Sequence, residues 1–161
     1  MDEKTRGRLD SLATDDGLLA ALGHAVRAAL PEPRSWTVEM PAGMKLLSMN
    51  GRLHWSEQRR RASDLKAAAW ACAKAAKIPP LESAFIAIEY QPPDKRRRDH
   101  DNIPAASGKH CIDGIVAAGV LRDDCPPHVS GLSYGIGEPY PRGRLVLHIR
   151  EVATPELPAP P

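Results

Sequence analysis

The sequence predicts an α/β (α+β) fold: a single small domain with a mixed sheet of about four strands and two main helices, ordered β-α-β-α-β-β. Three observations predict it. Two stretches space their apolar residues as helices do, four short runs rich in β-branched and aromatic residues lie between Gly/Pro punctuation, and 161 residues with 42% hydrophobic content suffice for one core.

Taken in order, residues 1–34 read as an N-terminal helical extension. Asp15 or Asp16 starts a helix, Leu18, Leu22, Val26 and Leu30 recur every four residues, and Pro31 and Pro33 end it. The domain proper spans residues 35–152 and opens with a short strand at Trp36–Met40. A polar loop, Gly43–His54, follows, with Ser48, Asn50 and Gly51 as turn residues. Ser56 precedes a helix over Glu57–Lys77, whose Leu65, Ala69, Cys72, Ala73 and Ala76 fall at helical spacing before Pro79-Pro80 stop it. Ala84–Tyr90 reads as a strand through Phe85, Ile86, Ile88 and Tyr90, and Pro92-Pro93 break it.

The second helix runs from about Ala105 or Lys109 to Ala118. Pro104 and Gly108 argue against an earlier start, Ile112, Ile115 and Val116 form its buried stripe, and Gly119 suits its C-terminus. Val129–Ile136 and Arg144–Val152 read as two strands of a hairpin closed by the turn GEPYPRG. Residues 153–161 form a proline-rich tail with little to bury.

Composition narrows the function classes. Charged residues are 26%, and no apolar run approaches the roughly 18–20 residues that span a bilayer. The opening MDEKTRGRLDS lacks the apolar centre of a signal peptide. A cytoplasmic protein without a membrane partner is expected, and three scattered cysteines, Cys72, Cys111 and Cys125, fit reduced thiols. Net charge is only +2, but basic residues cluster. Lys45, Arg52, Arg59, Arg60, Arg61, Lys66, Lys74 and Lys77 face only Glu57 and Asp64, a local excess of six positive charges. Lys95, Arg96, Arg97 and Arg98 follow in a block. A polyanion is one partner for such clusters, and a solvated helix face is the plainer explanation.

The informative segment is KRRRDHDNIPAASGKHCIDGIVAAGVLRDDC. In extended backbone, Asp99 and Asp101 would point to one side. Asp123-Asp124 add carboxylates after a helix that can return the chain, and Lys109 and Asp113 are helix neighbours four residues apart. Converging carboxylates repel one another, and a hard divalent cation such as magnesium resolves the conflict. Arginines beside it would hold nucleic-acid phosphates, and Lys109 would offset charge developing on the phosphate. From spacing alone, a surface turn in which the aspartates pair with neighbouring arginines is the favoured reading.

The stretch RRRDHDN, Lys109, Asp113-Gly-Ile-Val-Ala-Ala-Gly-Val and Asp123-Asp124 resembles the signature of the RusA family of Holliday junction resolvases. There an arginine-flanked D-x-D-N precedes a lysine, an aspartate four residues later and D-D. The strand, polar loop, first helix and final strand pair extend the resemblance to about residues 36–152. It implies a homodimeric, magnesium-dependent endonuclease, with manganese as a substitute, that cuts four-way DNA junctions in recombination and repair. The implied metal-binding and catalytic acids are Asp99, Asp101 and Asp124, with Asp113 as a supporting ligand, Lys109 as the catalytic lysine, and Asp123 as a weaker claimant than Asp124. Arg96, Arg97, Arg98, Arg59, Arg60, Asn50, Arg52 and His54 are the implied DNA contacts.

Other readings carry less. His110-Cys111 and Cys125-Pro-Pro-His128 have unusual spacing for zinc. His100 is expected to face away from the aspartates, and Cys111 to be buried. Trp36 and Trp70 are expected in the core, with Trp55 left open between packing and base stacking. A nuclease for flaps or forks, and a non-catalytic junction-binding module, are the competing functions.

Overall fold

The computed structural model describes residues 33–152, so the N-terminal helix and the proline-rich tail expected from sequence lie outside the described residues. Six elements follow in the predicted order. They are β1 (Ser35–Glu39), α1 (Trp55–Ala75), β2 (Ala84–Gln91), α2 (Asn102–Ala117), β3 (Val129–Ile136) and β4 (Arg144–Glu151). The four strands form one mixed sheet ordered β1-β4-β2-β3. β4 pairs antiparallel with both β1 and β2, and β3 runs parallel to β2. A parallel pair needs a long crossover, and α2 supplies it.

The expected hairpin between β3 and β4 does not form, because β2 lies between them. The seven residues 137–143 instead bridge the end of β2. Gly137 donates its N–H to the Tyr90 carbonyl at 2.9 Å and Tyr140 donates to the Pro92 carbonyl at 2.8 Å. Gly143 then turns the chain into β4 at φ +70°, against the Pro93 ring, a conformation that favours glycine.

Alternation places the core on one face of the sheet. Val38, Ile86, Ile88, Leu145, Leu147 and Ile149 are buried there with Leu65, Ala69 and Ala73 of α1 and Cys111, Ile112 and Ile115 of α2. The other face carries Phe85, Ala87, Glu89, His148 and Arg150, which are half-buried or exposed.

α2 begins at Asn102, earlier than expected. Pro104 falls in the first turn, where its missing N–H has no intrahelical partner to lose. The two glycines mark close approach. A Cβ on Gly108 would stand 2.4 Å from Ile88 Cδ1, and one on Gly114 would stand 2.4 Å from the Lys66 carbonyl oxygen of α1. Both glycines are therefore compatible with helix: Gly114 is pressed against backbone that cannot give way, and Gly108 against the Ile88 side chain.

Candidate functional site

The predicted acids are spread over the loop before α2, the helix itself and the loop after it. Asp101 is its N-cap residue: its carbonyl accepts the Ala105 N–H at 2.8 Å, and its carboxylate makes no capping bond. Its φ of −105° and ψ of −24° show that the chain is already turning into the helix. The chain turns at His100 and Asp101, so the extended backbone whose alternation would have aligned Asp99 with Asp101 does not run through the pair. Asp99 lines a cleft of about 240 Å³ with Tyr90, Arg97, Arg98, Asn102 and Ile103. Lys109 and Asp124 line a second cleft of about 330 Å³ with Ala105, Ile112, Leu132 and Tyr134. Asp101, Ala105 and Lys109 follow at four-residue intervals, so they lie along one side of α2.

Lys109 and Asp124 are therefore brought to one cleft, and Asp99 to another. Among the described residues, no three His, Cys, Asp or Glu side chains stand together as a metal-holding group, so Asp99, Asp101 and Asp124 are not assembled into one ligand set. Asp113 lies further along α2, its carboxylate 3.7 Å from the His110 imidazole.

Asp123 and Asp124 differ in their surroundings. The Asp123 carboxylate accepts the Asp124 N–H at 2.7 Å. That bond, followed by one from the Cys125 thiol, holds its carboxyl below the ordinary aspartate range. Asp123 is committed to its own loop, while Asp124 faces the cleft.

The arginines also divide. Arg98 donates to the Asp94 carboxylate at 2.6 Å and to the Asp94 and Arg96 carbonyls, bracing the loop before α2. The Arg98 bond, with the Arg96 N–H second, lowers the Asp94 carboxyl below its usual range. Arg96 and Arg97 are exposed. In the other cluster, Glu57 binds Arg60 at 2.7 Å and Arg61 at 2.8 Å. The Arg61 and then the Arg60 bonds draw the Glu57 carboxyl down to about 2. Arg61 further donates to the Leu46 carbonyl at 3.1 Å, whereas Arg59 stays exposed.

Asn50 and Arg52 are exposed on the loop before α1. His54 is the N-cap residue of α1, with its Nδ1 2.7 Å from Ser56 Oγ. Two residues given no role by the sequence reading fix this loop to α2. Asn102 Oδ1 accepts the Ser48 hydroxyl at 2.7 Å and the Met49 N–H at 2.9 Å. The buried Ser107 hydroxyl accepts the Leu47 N–H at 2.8 Å and donates to the Leu47 carbonyl at 3.0 Å. The signals were an asparagine directly after D-x-D and a serine on the inner face of a helix.

Cys111 is buried, as expected, and burial pushes its thiol up to about 12, which removes it as a nucleophile. His128 Nδ1 sits 2.9 Å from the Glu82 carbonyl oxygen. Trp36 packs against the core, but Trp70 is 45% exposed, contrary to expectation. Alanines 69 and 73 fill the contact between α1 and α2, and the close approach at Gly114 leaves no room there for an indole. A larger cleft of about 380 Å³, lined by Leu81, Glu82, Ser83, Arg122, Pro127 and His128, holds none of the predicted site residues.

Compared with known proteins, the chain matches no family model and no curated protein.

Proposed function

We propose that this chain is a magnesium-dependent, structure-specific DNA endonuclease that resolves four-way junctions as a homodimer, with manganese able to substitute. The observation that carries this reading is the exposure of three carboxylates flanking α2, Asp99 and Asp101 before it and Asp124 after it, with exposed Arg96 and Arg97 on the loop before the helix and Lys109 sharing the Asp124 cleft. None of the three acids is engaged in an ion pair among the described residues. The resemblance of residues 96–124 to the RusA signature supports the same reading.

Oxygen donors of this kind suit a small hard cation. Asp99, Asp101 and Asp124 are the residues that would hold it. Held there, a divalent ion would supply Lewis-acid polarisation of a phosphoryl oxygen and a more acidic water. Arg96 and Arg97 bind the phosphates on either side of the scissile bond. Lys109 offsets charge that accumulates on the phosphate as the bond breaks. Asp113, which the resemblance implies as a supporting ligand, would assist from further along the helix. A four-way junction is two-fold symmetric, so clean resolution takes two equivalent cuts, and a two-fold dimer supplies two equivalent sites. Exposed Leu132 and Tyr134 on the edge strand β3 offer apolar surface for such pairing beside the second cleft.

The test is cleavage of a synthetic four-way junction, a flap, a fork and a linear duplex, in magnesium and in excess chelator. Paired symmetric cuts in the junction, dependent on magnesium, are expected. Cleavage that persists in chelator contradicts the mechanism. Preferred cutting of flaps or forks assigns a different branched substrate, and junction binding without any cutting makes the chain a binding module.

A further inference from the structure

We infer that Trp55 and Met49 form a stacking platform for an unpaired DNA base at the branch point; the inference rests on the proposed function and gives that site its means of recognising non-duplex DNA. These two side chains are the most exposed of the large hydrophobic residues described, at 68% and 63%. Neither is loosely placed. Trp55 opens α1, and its ring is tilted against that of His54 at 5.6 Å, while His54 is itself bonded to Ser56. Met49 is held by its N–H bond to Asn102, the residue after Asp101. Met49 therefore lies on a loop fastened to the residue after Asp101, and Trp55 opens the helix into which that loop leads.

The surroundings favour a nucleic acid over an apolar protein partner. Arg59 lies one helical turn after Trp55 on the same side of α1, and exposed Arg52 lies three residues before it. Both belong to the segment with six excess positive charges, which complements a phosphate backbone. Next to the platform runs a groove of about 220 Å³, whose lining includes Ser48, Met49, Leu53, Gln58, Ala106 and His110. The Gln58 amide and the His110 imidazole present hydrogen-bonding groups suited to the edge of a base. An indole face accepts any base, so the platform would read unpairing and not sequence.

The experiment measures tryptophan fluorescence and binding without magnesium, using a four-way junction and an oligothymidylate as probes. Saturable quenching is expected with the wild type. Trp55→Leu should lose most of the quenching and bind the junction about tenfold more weakly, and Trp55→Phe should recover most of the affinity. The thermal melt of both variants should match the wild type, since the indole is exposed. If the wild type cuts junctions and Trp55→Leu binds and quenches like it, this inference falls and the proposed function stands. If the wild type neither binds nor cuts any DNA probe, both fall. Quenching by anionic phospholipid vesicles or by an amphipathic peptide, with none by DNA, assigns the platform to another partner and also overturns the inference.

Discussion

The two sides of α2 are built on opposite rules. Its inner side is a close-packed surface where size decides every position: Gly108 admits Ile88, Gly114 admits the α1 backbone, Cys111 and Ile115 are fully enclosed, and Ser107 satisfies both polar groups of Leu47. Its outer side, with Asp101 at the start and Lys109 two turns on, carries charge that the fold does not need. A helix whose inner side is over-determined can keep costly, unpaired charge in register on its outer side. The comparison teaches that substitutions on the two sides should separate stability from activity.

The sharpest break of that separation comes from the outer side. Lys109→Ala should lower junction cleavage about a hundredfold, while stability in urea changes by less than about 0.5 kcal/mol. On the inner side, Gly114→Ala should cost about 3 kcal/mol, measured by urea unfolding, because the new methyl meets backbone and the Ala69 Cβ, neither of which can rotate away. Its cleavage per folded molecule should be unchanged. Ser107→Ala should cost about 2 kcal/mol, since it strands the buried Leu47 N–H, and should loosen the loop that carries Met49.

Gly108→Ala should be milder, within about 1 kcal/mol. It meets the Ile88 side chain alone, most closely at its terminal Cδ1, and alanine is the better helix former. Smallest is the acid response of the brace at Glu57. Its carboxyl is depressed from 4.5 to about 2, so the contribution is present above about pH 4.5 and is lost as pH falls through about 2. Glu57→Gln should flatten the stability profile in that window and leave neutral-pH stability nearly unchanged, because exposed ion pairs contribute little.

Element order, both helices and all four strands were legible because their apolar periodicity is local. Strand partners were not. Residues 137–143 look like a hairpin turn in sequence, and only the pairing of β2 with both neighbours shows that they cross a strand. Pro104 and Gly108 argued against helix by propensity, yet one sits where a proline costs nothing and the other where α2 packs closely on the Ile88 side chain. The candidate acids were legible as residue types. Their arrangement was not, because the Asp99–Asp101 alternation presumes a strand and the chain turns there. Asn102 and Ser107 escaped notice because their partners lie more than fifty residues away. Trp70 was misplaced because bulk suggested core, whereas the helix contact selects alanine.

The claim at the centre of this account is that the outer start of α2 is a catalytic acid site. Asp101→Asn tests it most directly, with cleavage of a four-way junction in magnesium and junction binding measured on the same samples. The account predicts that cleavage disappears while binding stays within about threefold of the wild type, since among the described residues Asp101 makes no ion pair or capping bond that holds the fold. Cleavage at the wild-type rate would contradict it.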